Sequence, residues 1–268
     1  MRTHALMYHD VVTGSADDSG FAGAGPAVYK LSWTAFAEHL DKIGEAVAGP
    51  PVVVDDLLAA HVGSSSWSLT FDDGGASAPE IAEELTRRGW RGHFFVTTGC
   101  IGGHGFVDGD AIRELHRLGH VVGSHSVTHP ERMPSLPIDE LVHEWRASLA
   151  ALSDLVGEQL NGASVPSGYY SADVALAADR AGVAALFTSE PIRTPGRVGG
   201  CLVVGRYSIR RDTLASMAAR AAAGDPRPWL RQYVAWNLRK PVKAIGGERY
   251  DRARRMVLAA RTRRSRVQ

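Results

Sequence analysis

A parallel α/β fold, most simply a sheet closed as a barrel, is what this sequence predicts, and three observations carry the prediction. Short apolar runs bounded by turn residues alternate with helical apolar spacing about seven times along the chain, the pattern of repeated βα units. The 268 residues, 44% of them hydrophobic, suffice for one substantial core, and α/β barrels of this size form single domains. The residues richest in chemistry, Asp72 with Asp73 and His125 with His129, follow two of the predicted strands, where a barrel carries its functional loops.

Residues 5–8 form the first predicted strand. Residues 13–26, rich in Gly, Ala, Ser and Asp, read as a mobile surface loop over the mouth of the site. A helix is predicted over residues 33–47, with Ser32 as its cap and Phe36, Leu40, Ile43 and Val47 on one face. Residues 51–54 read as a short strand, and residues 67–71, apolar, aromatic and flanked by turn residues, as a buried one. Pro79 stands where a helix can begin and Gly89 where it must stop. A strand over residues 93–97, a Gly-rich loop and a helix over residues 110–118 lead to Val121, Val122 and the histidines. The long helix predicted over residues 139–155 keeps Leu141, Trp145, Leu149 and Leu152 at apolar spacing. A strand over residues 163–165, a helix from its cap Ser171 to Gly182, and strands over residues 183–188 and 201–204 complete the alternation. The chain is thus divided into a barrel, residues 1–210, and a basic, aromatic helical extension, residues 211–268.

Composition narrows the function classes. A formal net charge of +1 gives no global attraction to nucleic acid or to other acidic partners. Two cysteines, Cys100 and Cys201, make no disulfide framework and read as small buried apolar residues. The N-terminal apolar run is broken at His9 and Asp10, too early for a signal peptide, and no run approaches a membrane span. The expected location is cytoplasmic, with a peripheral position at the inner face of the membrane if the tail binds there. In that tail Trp229, Tyr233 and Trp236 are interleaved with Arg231, Arg239, Lys240 and Lys243, ahead of an Arg-rich helix predicted over residues 248–264. Such a mixture suits the headgroup region of an anionic membrane; the alternative is a helix pair packed on the barrel with a solvated basic face. No nucleic-acid-binding motif accompanies it.

The sequence TFDDG, Thr70 to Gly74, and HSVTH, His125 to His129, read together as a metal site with a spare carboxylate. Adjacent residues at a strand tip point different ways, so Asp72 and Asp73 need not share one job. If a helical turn begins at His125, the i, i+4 spacing puts both imidazoles on one face. Two imidazoles and one carboxylate suit zinc, and also nickel, cobalt or iron, and leave positions for water and substrate, a hydrolytic arrangement. Taken singly, the Asp pair reads as a turn or helix cap and the histidines as surface residues. Their order, each after a predicted strand, favours the metal.

With these residues in view, the chain resembles the NodB-homology polysaccharide deacetylases, carbohydrate esterase family 4, over residues 5–210. The matching stretches are TFDDG, HSVTH, the strand HFFVT between them, and PSGY from Pro166 to Tyr169, which looks like the family's third motif. The resemblance implies a distorted (β/α)7 barrel that removes N-acetyl or O-acetyl groups from sugars with one divalent metal ion. It implies Asp72 as general base and Asp73, His125 and His129 as metal ligands. Ser167, through its backbone N–H, would help hold the oxyanion, with Tyr169 also on the substrate side.

The departures matter as much. Ser164 stands where the family usually has the arginine that orients the base, for which Arg206 or Arg193 could substitute. The late Leu-x-His motif that supplies the general acid has no counterpart, His143 being the last histidine, and FTSEP, residues 187–191, replaces the aromatic fourth motif. His9, at the tip of the first strand, is the leading candidate for the acid and Glu190 the second; a histidine bonded to backbone is the structural alternative for His9. His104 reads as solvated and His93 as structural. Glu190 and Arg206 are grouped with Ser167 and Tyr169 on the substrate side. The resulting reading is a metal-dependent hydrolase acting on an N-acetylated, or O-acetylated, sugar that is nucleotide-linked, lipid-linked or a small glycoside. The alternatives are hydrolysis of a non-sugar amide or cyclic amide on the same fold, and a metal- or sugar-binding protein without catalysis.

Overall fold

The structure, a computed structural model, describes residues 1–61 and 63–238. Its strands are β1 (Arg2–Tyr8), β2 (Val11–Val12), β3 (Leu31–Ser32), β4 (Ser65–Phe71), β5 (His93–Val96), β6 (Val121–Ser124), β7 (Gly162–Ser164), β8 (Ala185–Phe187), β9 (Gly196–Val198), β10 (Cys201–Val204) and β11 (Arg206–Ser208). Its helices are α1 (Trp33–Ala46), α2 (Val54–Ala59), α3 (Ala78–Arg87), α4 (Gly109–Arg117), α5 (Ile138–Val156), α6 (Ala172–Arg180), α7 (Ala215–Ala222) and α8, described over residues 226–238.

The main sheet runs β11-β1-β4-β5-β6-β7-β8-β10-β9 and is parallel except for the last pair. The two ends of its parallel part, β10 and β11, are neighbours in the chain. Leu202 to Val204 of β10 pair with Ala185 to Phe187 of β8, whereas Arg206 to Ser208 of β11 pair with Ala5 to Met7 of β1, and only Gly205 separates them. β10 and β11 therefore act as one bent stave whose halves pair with opposite ends of the sheet, so the sheet must curl round on itself as a distorted barrel. Glycine is required at the bend, because a Cβ on Gly205 would lie 2.4 Å from the Ile192 carbonyl oxygen and 2.5 Å from that of Glu190.

The helices form where period and caps agree. Ser32 accepts a hydrogen bond from Ala35 N (3.2 Å) at the start of α1, which buries Phe36, Leu40 and Ile43 against the sheet. Ser171 caps α6 in the same way, and the left-handed Gly157 (φ 76°) ends α5. Inside the barrel Phe95 meets Phe187 with ring centroids 5.2 Å apart, and Val54 and Leu57 of α2 close this interior cluster.

Several expectations are corrected. Residues 51–54 are not a strand: Pro50 and Pro51 have no N–H for a ladder, and Val53 instead leads into α2, its N–H donating to Asp56 Oδ2 at 2.9 Å. β2, β3 and β9 were not expected, being two or three residues long, too short for periodicity to register. The core also runs past residue 210. Ala218, Ala221 and Ala222 of α7 and Trp229 of α8 are buried in the main cluster, with α7 packed on α1, so the first part of the extension completes the barrel's outer layer. The predicted Arg-rich helix over residues 248–264, with Arg239, Lys240 and Lys243, lies outside the described residues. Among the described residues no helix is long and apolar enough to cross a membrane.

Candidate active site

β4 presents Asp72 and Asp73 at its C-terminal tip. Asp72 N donates to Tyr8 O (3.1 Å), holding the tip against β1, and the chain then turns through two consecutive left-handed residues, Asp73 (φ 79°) and Gly74 (φ 77°). The second must be glycine, since a Cβ there would lie 3.0 Å from Val96 Cγ1 and 3.1 Å from Val96 Cα. The reversal sends the two carboxylates to different partners.

Asp72 pairs with Arg206 in a bidentate contact, Nη1 to Oδ1 at 2.6 Å and Nη2 to Oδ2 at 2.7 Å, with both side chains buried. Arg206 is itself fixed by hydrogen bonds to Thr188 O and Thr70 Oγ1, both 3.0 Å. Burial by itself would raise the Asp72 carboxyl, but attraction to the Arg206 guanidinium and to His125 outweighs it and holds the group below its ordinary value. Arg206 therefore lies behind Asp72 and does not line the cavity. Arg193 is engaged elsewhere; it donates to Gly224 O (3.0 Å).

Asp73, His125 and His129 converge. Asp73 Oδ1 lies 3.3 Å from His125 Nε2 and 3.5 Å from His129 Nε2, and one ligand atom of each residue falls within 4.8 Å of the others. Burial would raise the Asp73 carboxyl, yet hydrogen bonding to the two imidazoles takes it well below the ordinary range. The histidines are not on a helix, contrary to the expectation from their spacing. They sit on a tight loop with left-handed residues at Ser126 (φ 68°) and His129 (φ 53°). Ser126 N donates to Ser124 Oγ and His129 N to Ser126 Oγ, each at 3.0 Å. Glu144 of α5 clamps the loop by accepting from Val127 N (2.8 Å), Thr128 N (2.9 Å) and Thr128 Oγ1 (2.7 Å).

Ser164 ties the two halves together. His125 Nδ1 lies 3.1 Å from Ser164 O, which can only accept, so Nδ1 carries the proton; it also lies 2.6 Å from Ser164 Oγ, which donates onward to Asp72 Oδ1 at 3.1 Å. Nε2 then faces the Asp73 carboxylate: when protonated it donates to Oδ1, and in the neutral ring its lone pair converges with the carboxylate, so this donor set fits a divalent metal ion.

The three groups and Asp72 open onto a cavity of about 430 Å³ at the C-terminal tips of the strands. His9 follows β1 into its wall, stacked on Tyr29 with ring centroids 4.7 Å apart, and its buried Nδ1 has no hydrogen-bond partner. The loop over residues 13–26 does cover the mouth, with Phe21 against His129 (centroids 4.5 Å apart), but it is tethered rather than loose. Lys30 Nζ donates to the carbonyls of Ala16 (2.6 Å), Phe21 (2.7 Å) and Ser19, and Asp10 accepts from Ser19 Oγ (2.6 Å). Ser167, left-handed at φ 58°, and Tyr169, beneath the Arg132 guanidinium at 4.9 Å, also line the cavity. Glu190 is not on the wall; its carbonyl accepts from Arg206 N (2.9 Å). His104 is exposed, and His93 is buried with Nδ1 donating to Leu69 O (2.9 Å).

Three contributors escaped the sequence reading: Ser164 as the bridge, Glu144 as the clamp, and Trp236 of α8 on the cavity wall. Only Glu144 left a readable trace, as an acid on the apolar face of a predicted helix between Leu141 and Trp145. Glu131, two residues past His129, also lines the cavity.

The mostly parallel sheet thus carries Asp72 and the converging Asp73–His125–His129 set at the C-terminal tips of its strands. Residues 59–186 match the sequence model described as polysaccharide deacetylase, so that segment is similar to the polysaccharide deacetylase family. A chitooligosaccharide deacetylase of Bradyrhizobium sp. (strain ANU 289) is 30% identical over 142 residues, covering 51% of this chain. The aligned stretch spans 62% of that protein's length. Among solved structures, the Streptococcus pyogenes deacetylase PplD in complex with acetate is similar with a TM-score of 0.68 at 18% identity, over 83% of this chain and 98% of that one. IcaB from Ammonifex degensii is similar with a TM-score of 0.68 at 22% identity, over 82% and 97% respectively. At these identities the likeness is one of fold.

Proposed function

We propose that this protein is a metal-dependent carbohydrate deacetylase, hydrolysing the acetamide, or an acetyl ester, of a sugar. The observation that supports it best is the pairing of functions across Ser164: an ionised carboxylate locked by Arg206 stands beside a converging Asp73–His125–His129 set that fits a cation. Asp72 accepts a proton from water attacking the acetyl carbonyl, and Arg206 keeps it ionised and oriented. Ser167 N–H, at the cavity wall, helps hold the oxygen on which negative charge develops. His9, on the wall with an unpartnered Nδ1, gives a proton to the departing amine. Asp73, His125 and His129 hold the ion, zinc or else nickel, cobalt or iron, which when bound supplies Lewis acidity toward the carbonyl oxygen and acidifies water.

The relative from Bradyrhizobium, named for chitooligosaccharides, supports an N-acetylated sugar as substrate. A cavity of about 430 Å³, roofed by Phe21, Tyr29 and Trp236, suits a single sugar on a small or lipid carrier better than the middle of a long polymer. A cytoplasmic site of action belongs to the same proposal, and cell fractionation tests it. Metal analysis together with acetate release across small acetamido sugars tests the function. One divalent ion per chain with acetate release supports it; metal without acetate release from any sugar or amide leaves a binding protein, and release only from non-sugar amides moves the substrate class. His9→Ala is expected to slow amide hydrolysis far more than hydrolysis of an activated acetyl ester, whose leaving group needs little protonation. Equal losses on both would move the acid role to Glu131.

A further inference from the structure

Away from the catalytic residues, helix α8 is apolar on both sides. Its inner face is anchored: Trp229 is buried and donates Nε1–H to Ala221 O (3.0 Å), and the Gln232 amide bonds both the N–H (2.8 Å) and the carbonyl (2.9 Å) of Ser208 in β11. Trp236, one turn further on, reaches the cavity wall beside Gly168. The outer face carries Leu230, Val234 and Leu238 at i, i+4 and i+8, which are 62%, 48% and 71% exposed, with Tyr233 exposed alongside. A surface helix is ordinarily polar on its outward side. An exposed row of aliphatic side chains marks an interface instead.

The charge around the row indicates its partner. Arg227 and Arg231 on α8 are exposed, and residues 239–268, which follow Leu238 directly, contain eleven Lys and Arg against the two acids Glu248 and Asp251. We propose that the outer face of α8 docks on an anionic lipid bilayer, with Leu230, Val234 and Leu238 in the interfacial region and the basic residues on the headgroups. Because Trp236 on the inner face of the same helix lines the cavity, docking leaves the site about one helix diameter, roughly 10 Å, from the headgroups. An acetylated sugar carried on a membrane lipid would be presented there; this consequence rests on the deacetylase reading, whereas the docking does not.

Co-sedimentation of the full chain with vesicles tests the proposal, using phosphatidylcholine alone and phosphatidylcholine with phosphatidylglycerol in equal parts. The expected result is binding to the mixed vesicles, weakened by salt, with little binding to phosphatidylcholine. A Leu230→Glu, Val234→Glu double variant is expected to lose roughly tenfold or more in vesicle affinity while unfolding at the same temperature as the wild type. Wild-type protein that stays in the supernatant, or that binds both vesicle types equally, overturns the proposal. A double variant that binds like the wild type also overturns it, as does one that unfolds at a lower temperature, since the row is then covered by the chain itself. Acetate release from a soluble acetamido sugar, measured on the same preparations, is expected to be unchanged in the variant and reports on the catalytic reading separately.

Discussion

At Asp72 burial and ion pairing oppose each other, and the bidentate contact with Arg206 decides the outcome. Asp72→Asn is expected to keep the metal and lower kcat by roughly two to four orders of magnitude, because the amide keeps the shape but cannot take a proton. Elemental analysis and turnover of the same preparation check both halves, and unchanged kcat would reassign the base. Arg206→Ala leaves a buried carboxylate without its partner, which costs about 3–5 kcal/mol and is read by urea unfolding. The sign of its pH effect follows from the same contact: removing the guanidinium lets burial raise the carboxyl, so the acid limb of the pH–rate profile moves to higher pH. An acid limb that stays in place would mean that Arg206 does not tune the base.

At the scale of elements, the second half of the site is a loop held by a helix. The HSVTH segment has two left-handed non-glycine residues and no helical ladder, and α5 supplies the missing partners through Glu144. Glu144→Gln keeps the size but removes the charge that two backbone N–H groups and a hydroxyl share. Metal affinity is expected to fall roughly 10–100-fold, the usual cost of losing a group that orients a ligand from behind, with helix content unchanged by circular dichroism. Competition with a chelator measures it, and wild-type affinity in the variant would show that the loop holds its own shape. The bend between β10 and β11 gives a second case. Gly205→Ala forces a methyl against two carbonyl oxygens, one residue before Arg206, and is expected to cost about 1–3 kcal/mol and to lower kcat together with stability.

For the whole molecule, buried neutral histidines set the response to acid. Burial, with lesser contributions from nearby arginines, lowers His4 to about 4, and burial, little relieved by its bond to Leu69 O, lowers His93 to about 4. In the unfolded chain both take up a proton near pH 6.5. The unfolded state therefore binds more protons between about pH 4 and 6.5, and stability is full above that window and falls as pH drops through it. Fully enclosed His93 contributes about 3 kcal/mol at most, and His4, near the surface beside Ser65, less. Urea unfolding of the metal-free protein at pH 7 and pH 5 is expected to show this loss, and His93→Phe to flatten it; an unchanged slope in that variant would place the acid sensitivity elsewhere.

The sequence by itself determined the βα alternation and the strand tips, and singled out Asp72, Asp73, His125 and His129 as candidates, because each rests on local period, local turn chemistry or a short motif. It also narrowed the replacement for the missing arginine to Arg206 or Arg193. Tertiary structure decided between them, since Arg206 reaches Asp72 only because β11 pairs with β1, which in turn pairs with β4, a neighbour relation that no window of sequence contains. The geometry of the histidine loop was read from i, i+4 spacing as a helical face, yet its shape comes from Glu144 and from left-handed residues that propensity disfavours. Ser164 looked like a loss when compared with a motif; folded, its hydroxyl joins Asp72 to His125. Trp236 sits far along the chain from the rest of the site, and only packing of α8 on the barrel brings it to the cavity. Local physics writes the elements and their tips into the sequence, whereas contacts between distant elements exist only once the sheet has closed.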